Sequence, residues 1–315
     1  MRSPSKISAV VLLLLAMSGL SDGAEPFSVV VLPDTQNYAE KFPDTYLVQT
    51  KWIAKNVKRE NIKFVIHLGD IVQNHNTSEA EWRVADRAHR QLDGVVSYSV
   101  VPGNHDLGMV EKQLNRDTSL YNKYFGPQRF AGQPWYGGHL GETNDNNYCY
   151  FDAGGMQFMV LSLEYSPRDE TLAWAAEVAA RHPRHRVILV THCYMRPKGR
   201  DSQTGGVFGN SGDGVWEKLV RRAPNIFLVV SGHVLGVGRQ VSVNEAGLPV
   251  HETLVDYQGL PNGGDGWLRI MRFIPSQDRI EVRAYSPLLD ETMEDQEHTF
   301  SLEYSMTAPA LRKAG

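Results

Sequence analysis

The sequence predicts an α/β fold, and three observations carry that reading. Six short runs of apolar, β-branched residues are nearly continuous rather than alternating, the pattern of strands buried on both faces. Segments with helical spacing of apolar residues lie between several of these runs, so strand and helix alternate. Five of the runs end in short polar loops built from Asp, Asn, His and Gly, at the edge where a parallel sheet gathers its ligands.

In chain order the strand runs are residues 27–32, 64–68, 98–101, 156–163, 186–190 and 226–230. Residues 45–59 bring Leu47, Val48, Trp52, Ile53 and Val57 near one helical face. Ser78 and Glu81 have the spacing of a capping box, opening a helix that runs to about residue 92. Residues 169–181 and 215–221 are further helical segments. Residues 268–274 and 279–285 flank Pro275-Ser276-Gln277-Asp278 and predict a β-hairpin, after which the tail is polar and weakly patterned. Residues 126–147 and 196–214 read as long surface loops, a feature that in compact domains is usually functional. With no internal repeat and no linker, the expectation is a single domain over residues 25–315 with its core at about 27–290.

The 315-residue chain is 42% hydrophobic and 22% charged, the profile of a globular protein, with a formal net charge of −4. It has no basic run of five or more residues, so it carries no strong nucleic-acid signature. Arg2 and Lys6, the apolar stretch 7–20 and the small residues Ser21 to Ala24 have the layout of a secretory signal peptide over residues 1–24. That layout predicts a secreted or periplasmic protein. The apolar stretch is shorter than the roughly 20 residues of a membrane span, so no membrane attachment is expected after cleavage. Export would permit the two cysteines to pair, an alternative the sequence leaves open; Cys149 in an aromatic run and Cys193 at a strand end read as small core residues.

The chemistry lies in the strand-end loops: Pro33-Asp34-Thr35-Gln36, Gly69-Asp70-Ile71-Val72, Gly103-Asn104-His105-Asp106, Thr191-His192 and Gly232-His233-Val234-Leu235. Taken singly, each is an ordinary turn or a structural histidine. Five in succession, each at a strand end, point to a metal site assembled from O and N donors. Glycine before Asp70, Asn104 and His233 fits a backbone that turns sharply on leaving the sheet. Phosphate-binding and dinucleotide-binding glycine loops are absent.

This series resembles the calcineurin-like metallophosphoesterase superfamily, whose pattern runs D-x-H, G-D, G-N-H-[DE], H, G-H-x-H. The likeness extends from Asp34 to His233, with Gly103-Asn104-His105-Asp106 its most specific part. It implies a four-layer α/β/β/α sandwich with a two-metal site at one edge. Asp70 would bridge both metals, Asn104, His192 and His233 would complete one of them, and Asp34 would serve the other. His105 would stand beside the phosphate as general acid or transition-state stabiliser, oriented by Asp106.

Two positions depart from the pattern: Gln36 and Leu235 stand where it has histidine, and both belong to the same metal. An amide oxygen is a poorer ligand for Zn or Fe than imidazole, whereas oxygen-rich sites suit Mg or Mn. The expectation is one tightly held divalent ion, with Zn, Fe, Mn and Mg all open, and a second that is weak, hard or absent. His67 and His75 are alternative donors for the depleted position. The predicted function is hydrolysis of phosphoric mono- or diesters by metal-activated water; the alternative is an inactive metal- or phosphate-binding module. Candidate substrate-facing residues are Asn74, His75, Tyr194 and Arg239, with Arg239 suited to a phosphate charge, together with Asn37, Tyr38 and Tyr257.

Overall fold

The computed structural model describes residues 24–203 and 208–306, so the expected signal peptide, Ala24 apart, lies outside the described residues. The first half of the chain supplies β1 (Phe27–Leu32), β2 (Ile62–His67), β3 (Ser97–Ser99), β4 (Tyr136–His139), β5 (Asn147–Ala153) and β6 (Met156–Leu163). The second half adds β7 (Arg186–Thr191), β8 (Ile226–Ser231), β9 (Gly236–Val243) and β10 (Pro249–Asp256). It closes with β11 (Leu268–Ile274), β12 (Arg279–Ser286), β13 (Glu291–Met293) and β14 (Phe300–Glu303).

These strands form two seven-stranded sheets. One runs β13-β12-β11-β1-β2-β3 with β14 also on β12; the other runs β9-β10-β8-β7-β6-β5-β4. Within them β1, β2 and β3 are parallel, as are β6, β7, β8 and β10. The sheets face each other across a dry layer in which Phe27, Val29 and Phe64 meet Phe158, Val160 and Ile188, all fully buried. Phe27 stacks on Phe273 at 4.8 Å and meets Phe158 edge-on at 5.5 Å, the geometry aromatic rings prefer.

The outer face of the first sheet is covered by helices Pro43–Asn56 and Glu79–His89, through Tyr46, Ile53, Trp82 and Ala85. The outer face of the second packs on Asp169–Arg181 and the turns through Val220, with Leu172, Ala175, Val178 and Leu219 inward. The layers therefore run α/β/β/α. Strands buried on both faces account for the unbroken apolar runs, since β1, β7 and β8 have no exposed residue.

Several expectations need correction. The capping box does not form: Ser78 makes no side-chain cap, and Glu81 instead accepts from the backbone N–H groups of Gln73 and Asn74 at 2.8 and 3.1 Å. The stretch 126–147 is no bare loop, since it holds the helix Pro127–Phe130 and β4. The polar tail supplies β13 and β14, so the core continues past residue 290. The helix expected at 215–221 starts at Gly212 and widens into a π-type turn over Trp216–Val220, with the Arg221 N–H donating to the Trp216 carbonyl at 2.9 Å. Cys149 and Cys193 are buried and do not bridge to each other, as expected of core residues. Among the described residues no helix is long and apolar enough to cross a membrane.

Two imidazoles lie deep in the first helix–sheet layer. Burial, then Arg129, lowers His89 to about 3. Burial, then His89, holds His67 well below its usual 6.5. Both are neutral in the folded chain and protonate on unfolding below pH 6.5, so each withdraws stability as pH falls from there toward its folded pKa. One such group gives a slope approaching about 1.4 kcal/mol per pH unit. Urea denaturation should therefore find the protein about 1–3 kcal/mol less stable at pH 5 than at pH 7. His89→Leu should flatten part of that slope, and an unchanged pH dependence in this variant would rule His89 out as a contributor.

Candidate metal centre

Five loops converge at the C-terminal ends of β1, β2, β3, β7 and β8. Asp34, Asp70 and His233 each leave their strand with positive φ (35°, 49° and 73°), a conformation that costs non-glycine residues of order 1–3 kcal/mol. Gly69, at φ 98°, turns the chain as its position suggested. Gly103 and Gly232 have a different task. A Cβ on Gly103 would overlap the amide nitrogen and Oδ1 of Asp70, and one on Gly232 would overlap Oδ2 of Asp34. These glycines give the carboxylates room rather than supplying an unusual backbone angle.

His192 is fully buried. Its Nδ1 lies 3.0 Å from the Leu68 carbonyl, which places the proton there and leaves the Nε2 lone pair facing the site. That Nε2 stands 3.1 Å from Asn104 Oδ1, 3.2 Å from Asp70 Oδ1 and 3.2 Å from His233 Nδ1. Burial, then His192, lowers His233 to about 4, so its ring is neutral at pH 7. Burial alone would raise Asp70, but His192, His105 and His233 outweigh it and hold the carboxyl below its usual range. N and O donor atoms this close together fit a divalent cation with mixed ligands. Ligand atoms of Asp70, His192 and His233 lie within 4.8 Å of one another. Asp70, Asn104, His192 and His233 are thus brought together as expected.

The other side of Asp70 is built differently. Asp34 Oδ1 accepts from the His233 N–H at 3.0 Å, while its Oδ2 is buried without a partner. Gln36 Nε2 donates to Asp70 Oδ2 at 3.2 Å and to Gln258 Oε1 at 2.5 Å, leaving its own Oε1 buried and unpartnered. Gln258 in turn donates to both carboxylate oxygens of Asp256, each at 2.9 Å. Burial, then Asp256 and Asp70, raise Asp34 well above the usual carboxyl range; burial raises Asp256 to about 6. Asp256 and Gln258 escape the sequence reading because β10, which Asp256 ends and Gln258 follows, is not recognised as a strand there. Its apolar end, Leu254-Val255, is the signal that was available. Leu235 is 58% exposed and lines a cleft of about 570 Å³ with Lys198, Asp256, Tyr257, Leu260 and His298.

The His105 backbone N–H donates to Asp70 Oδ1 at 2.8 Å. Its ring is oriented by the Gln73 carbonyl, 2.8 Å from Nδ1, and by the parallel ring of His75 at 5.1 Å. Asp106 does not orient it: this carboxylate accepts from the N–H groups of Gly103, Ile71 and Val72 at 2.7, 2.9 and 3.1 Å and pins two loops together. His75 therefore belongs beside His105, with its Nδ1 3.0 Å from the Leu107 carbonyl, and not at the depleted position. His67 is engaged by Thr35 Oγ1 at 2.8 Å and Tyr46 at 3.2 Å.

Three substrate candidates have side-chain partners outside the metal cluster. Asn74 donates to Glu81 at 2.6 Å. Tyr194 is buried in the outer layer with its hydroxyl on Glu252 at 2.9 Å. Arg239 lies over the Phe300 ring at 4.3 Å and donates to the Gln296 carbonyl at 2.8 Å. Of the neighbours, Asn37 donates to the Gln258 carbonyl at 3.3 Å, Tyr38 accepts from the Gly266 N–H at 3.0 Å, and Tyr257 reaches the cleft.

Residues 27–236 match the model of the calcineurin-like phosphoesterase family. A Bacillus subtilis protein, uncharacterized protein YvnB, is 34% identical over 274 residues, 84% of this chain but 20% of that protein. The chain thus spans about one fifth of the length of that relative. Among solved structures, purple acid phosphatase PPD1 from yellow lupin superposes with a TM-score of 0.57 at 12% identity, over 90% of this chain and 54% of that one. A dimetal phosphatase from Danio rerio gives 0.55 at 15% identity, over 89% and 100%. These likenesses show the shared fold. The chain belongs to the calcineurin-like phosphoesterase family.

The tight approach at Gly103 sets a test of this geometry. Gly103→Ala should displace Asp70, lower stability by about 1–3 kcal/mol through overpacking and reduce bound metal. Metal content and thermal melting check this, and a variant that keeps its metal and its melting point refutes the packing argument.

Proposed function

From that membership we propose that this chain is a metal-dependent hydrolase of phosphoric mono- or diesters. The observation that supports this most is the convergence of Asp70, Asn104, His192 and His233 beside His105. Two structural neighbours are described as phosphatases, which accords with the reading. We also propose export to the periplasm or medium, on the pattern of residues 1–24, with a phosphate ester as the partner of the site.

A divalent ion held by those four residues would supply Lewis acidity toward a phosphoryl oxygen and toward water. The protein's own groups do the rest. Leu68 fixes the His192 tautomer through its carbonyl, and Asp34 holds the His233 backbone by accepting its N–H. His105 is aimed by the Gln73 carbonyl at its Nδ1, so its Nε2 is the atom available to a leaving oxygen. An imidazole is a side chain suited to proton delivery near neutral pH. Asp106 keeps the loop of His105 and the loop of Asp70 in register through three backbone amides.

The test is turnover of generic phosphomonoester and phosphodiester substrates by the purified mature protein, with bound metal measured in parallel. Wild type should retain one ion through gel filtration and cleave at least one ester class. His233→Ala should lose that ion, and His105→Ala should keep it while kcat falls by about 10²–10⁴. A chain that holds its ion yet cleaves neither class with any added divalent ion would be a binding module instead.

A further inference from the structure

We propose that the cleft beside Leu235 holds the retained alcohol of a phosphodiester, so that the substrate is a diester with one uncharged, apolar ester group. It rests on the phosphoesterase reading and decides between the mono- and diester classes. The cleft, of about 570 Å³, has the size of an ordinary small-molecule site. One end of it meets the metal loops. Leu235 stands two residues beyond His233, and Asp256, which also lines the cleft, is linked through Gln258 and Gln36 to Asp70 Oδ2.

The walls are hydrocarbon left in water. Leu235 is 58% exposed and Leu260 38%, and both line this concave surface. Single exposed leucines are unremarkable, but two of them facing one cleft at a reactive edge fit a ligand's apolar part. Tyr257 adds an aromatic ring, stacked on that of His298 at 5.9 Å. Gly259 packs against Leu235, since a Cβ there would come within 3.3 Å of both Leu235 methyl carbons. Leucine, standing where the family pattern has histidine, thus presents a fixed apolar wall to whatever occupies the cleft.

Charge favours an uncharged occupant. Lys198 shares the cleft with Asp256 and Glu297, so there is no cationic surplus to receive a second phosphate. Position favours the retained alcohol over the leaving one. The His105 N–H meets Asp70 Oδ1, whereas the amides that lead to the cleft meet Oδ2, so His105 and the cleft flank this carboxylate from different sides. His105 serves the leaving oxygen, and a group seated against Leu235 is the one that stays on phosphorus. Hydrolysis then breaks one P–O bond, adds the hydroxyl of water to phosphorus and releases the leaving alcohol with its proton. The apolar monoester is the other product. A monoester substrate has no retained alcohol to place in the cleft.

The experiment uses the mature full chain with a divalent ion that supports turnover, and 4-nitrophenyl esters that share one leaving group. The retained group is absent, methyl, butyl or benzyl, alkyl-type substituents that alter the scissile P–O bond little. From methyl to benzyl, kcat/KM should rise by roughly tenfold or more. The benzyl diester should also exceed 4-nitrophenyl phosphate. Leu235→Asn and Leu260→Asn should each lose most of the benzyl-to-methyl gain, whereas Leu289→Asn, an exposed leucine outside the cleft lining, should keep it. Each ratio compares two substrates on one preparation, so loss of folded protein does not move it. A ratio near one in wild type, an unchanged ratio in Leu235→Asn, or a preference for the monoester overturns this proposal and leaves the phosphoesterase reading standing. Wild type that cleaves none of these esters overturns both.

Discussion

The placement of the Asp70 carboxylate is the constraint on which the rest of this edge depends. It lies almost fully out of water, on a residue in left-handed backbone, against a glycine that leaves no room for a Cβ. A buried carboxylate so placed is stable only if its charge is answered on each side. The His105 amide and the imidazole of His192 answer it on one side, and the Gln36 amide on the other. The neighbouring loops are arranged around these requirements, and Asp106 holds two of them by their backbone amides.

Much of the fold was legible in the sequence because strands buried on both faces write unbroken apolar runs. β1 and β6 and the helix Asp169–Arg181 fall on the expected residues. The strands that escaped are of another kind. β9 is an edge strand with one face in solvent and glycines at two of its eight positions. β10 pairs with it and is introduced by Pro249, and its polar His251, Glu252 and Thr253 interrupt the apolar pattern although all three are buried. Those polar residues are tolerated because each finds a partner: Glu252, for example, receives Tyr194, Arg200 and Gln240. Burial satisfied by long-range hydrogen bonds leaves no periodic trace in a sequence.

The same distinction divides the site. Asp34, Asp70, Asn104, His192 and His233 were readable because each directly follows a recognisable strand. Asp256 and Gln258 were not, because their strand was not. Arg239 and Tyr194 looked eligible by proximity in sequence to the motifs, but Tyr194, in the loop after β7, packs into the outer layer and Arg239, on β9, lies over the Phe300 ring. The fit of His105 was legible as a residue but not as an arrangement, since its aligning partner is a backbone carbonyl, Gln73, 32 positions earlier.

The candidate donors come from both sheets: Asp34, Asp70 and Asn104 from the end of the first, His192 and His233 from the end of the second. Their separations are therefore set by how far apart the sheets stand, which is fixed behind them by the packed rings of Phe27, Phe158 and Phe273. Close packing transmits small displacements instead of absorbing them. A cavity opened in that layer would shift one set of ligands against the other, so core packing and ligand geometry are a single mechanical problem here. The coupling runs in both directions. An ion held by Asp70 on one sheet and His192 on the other would clasp the two at their open edge, and its binding free energy would add to the stability of the sandwich.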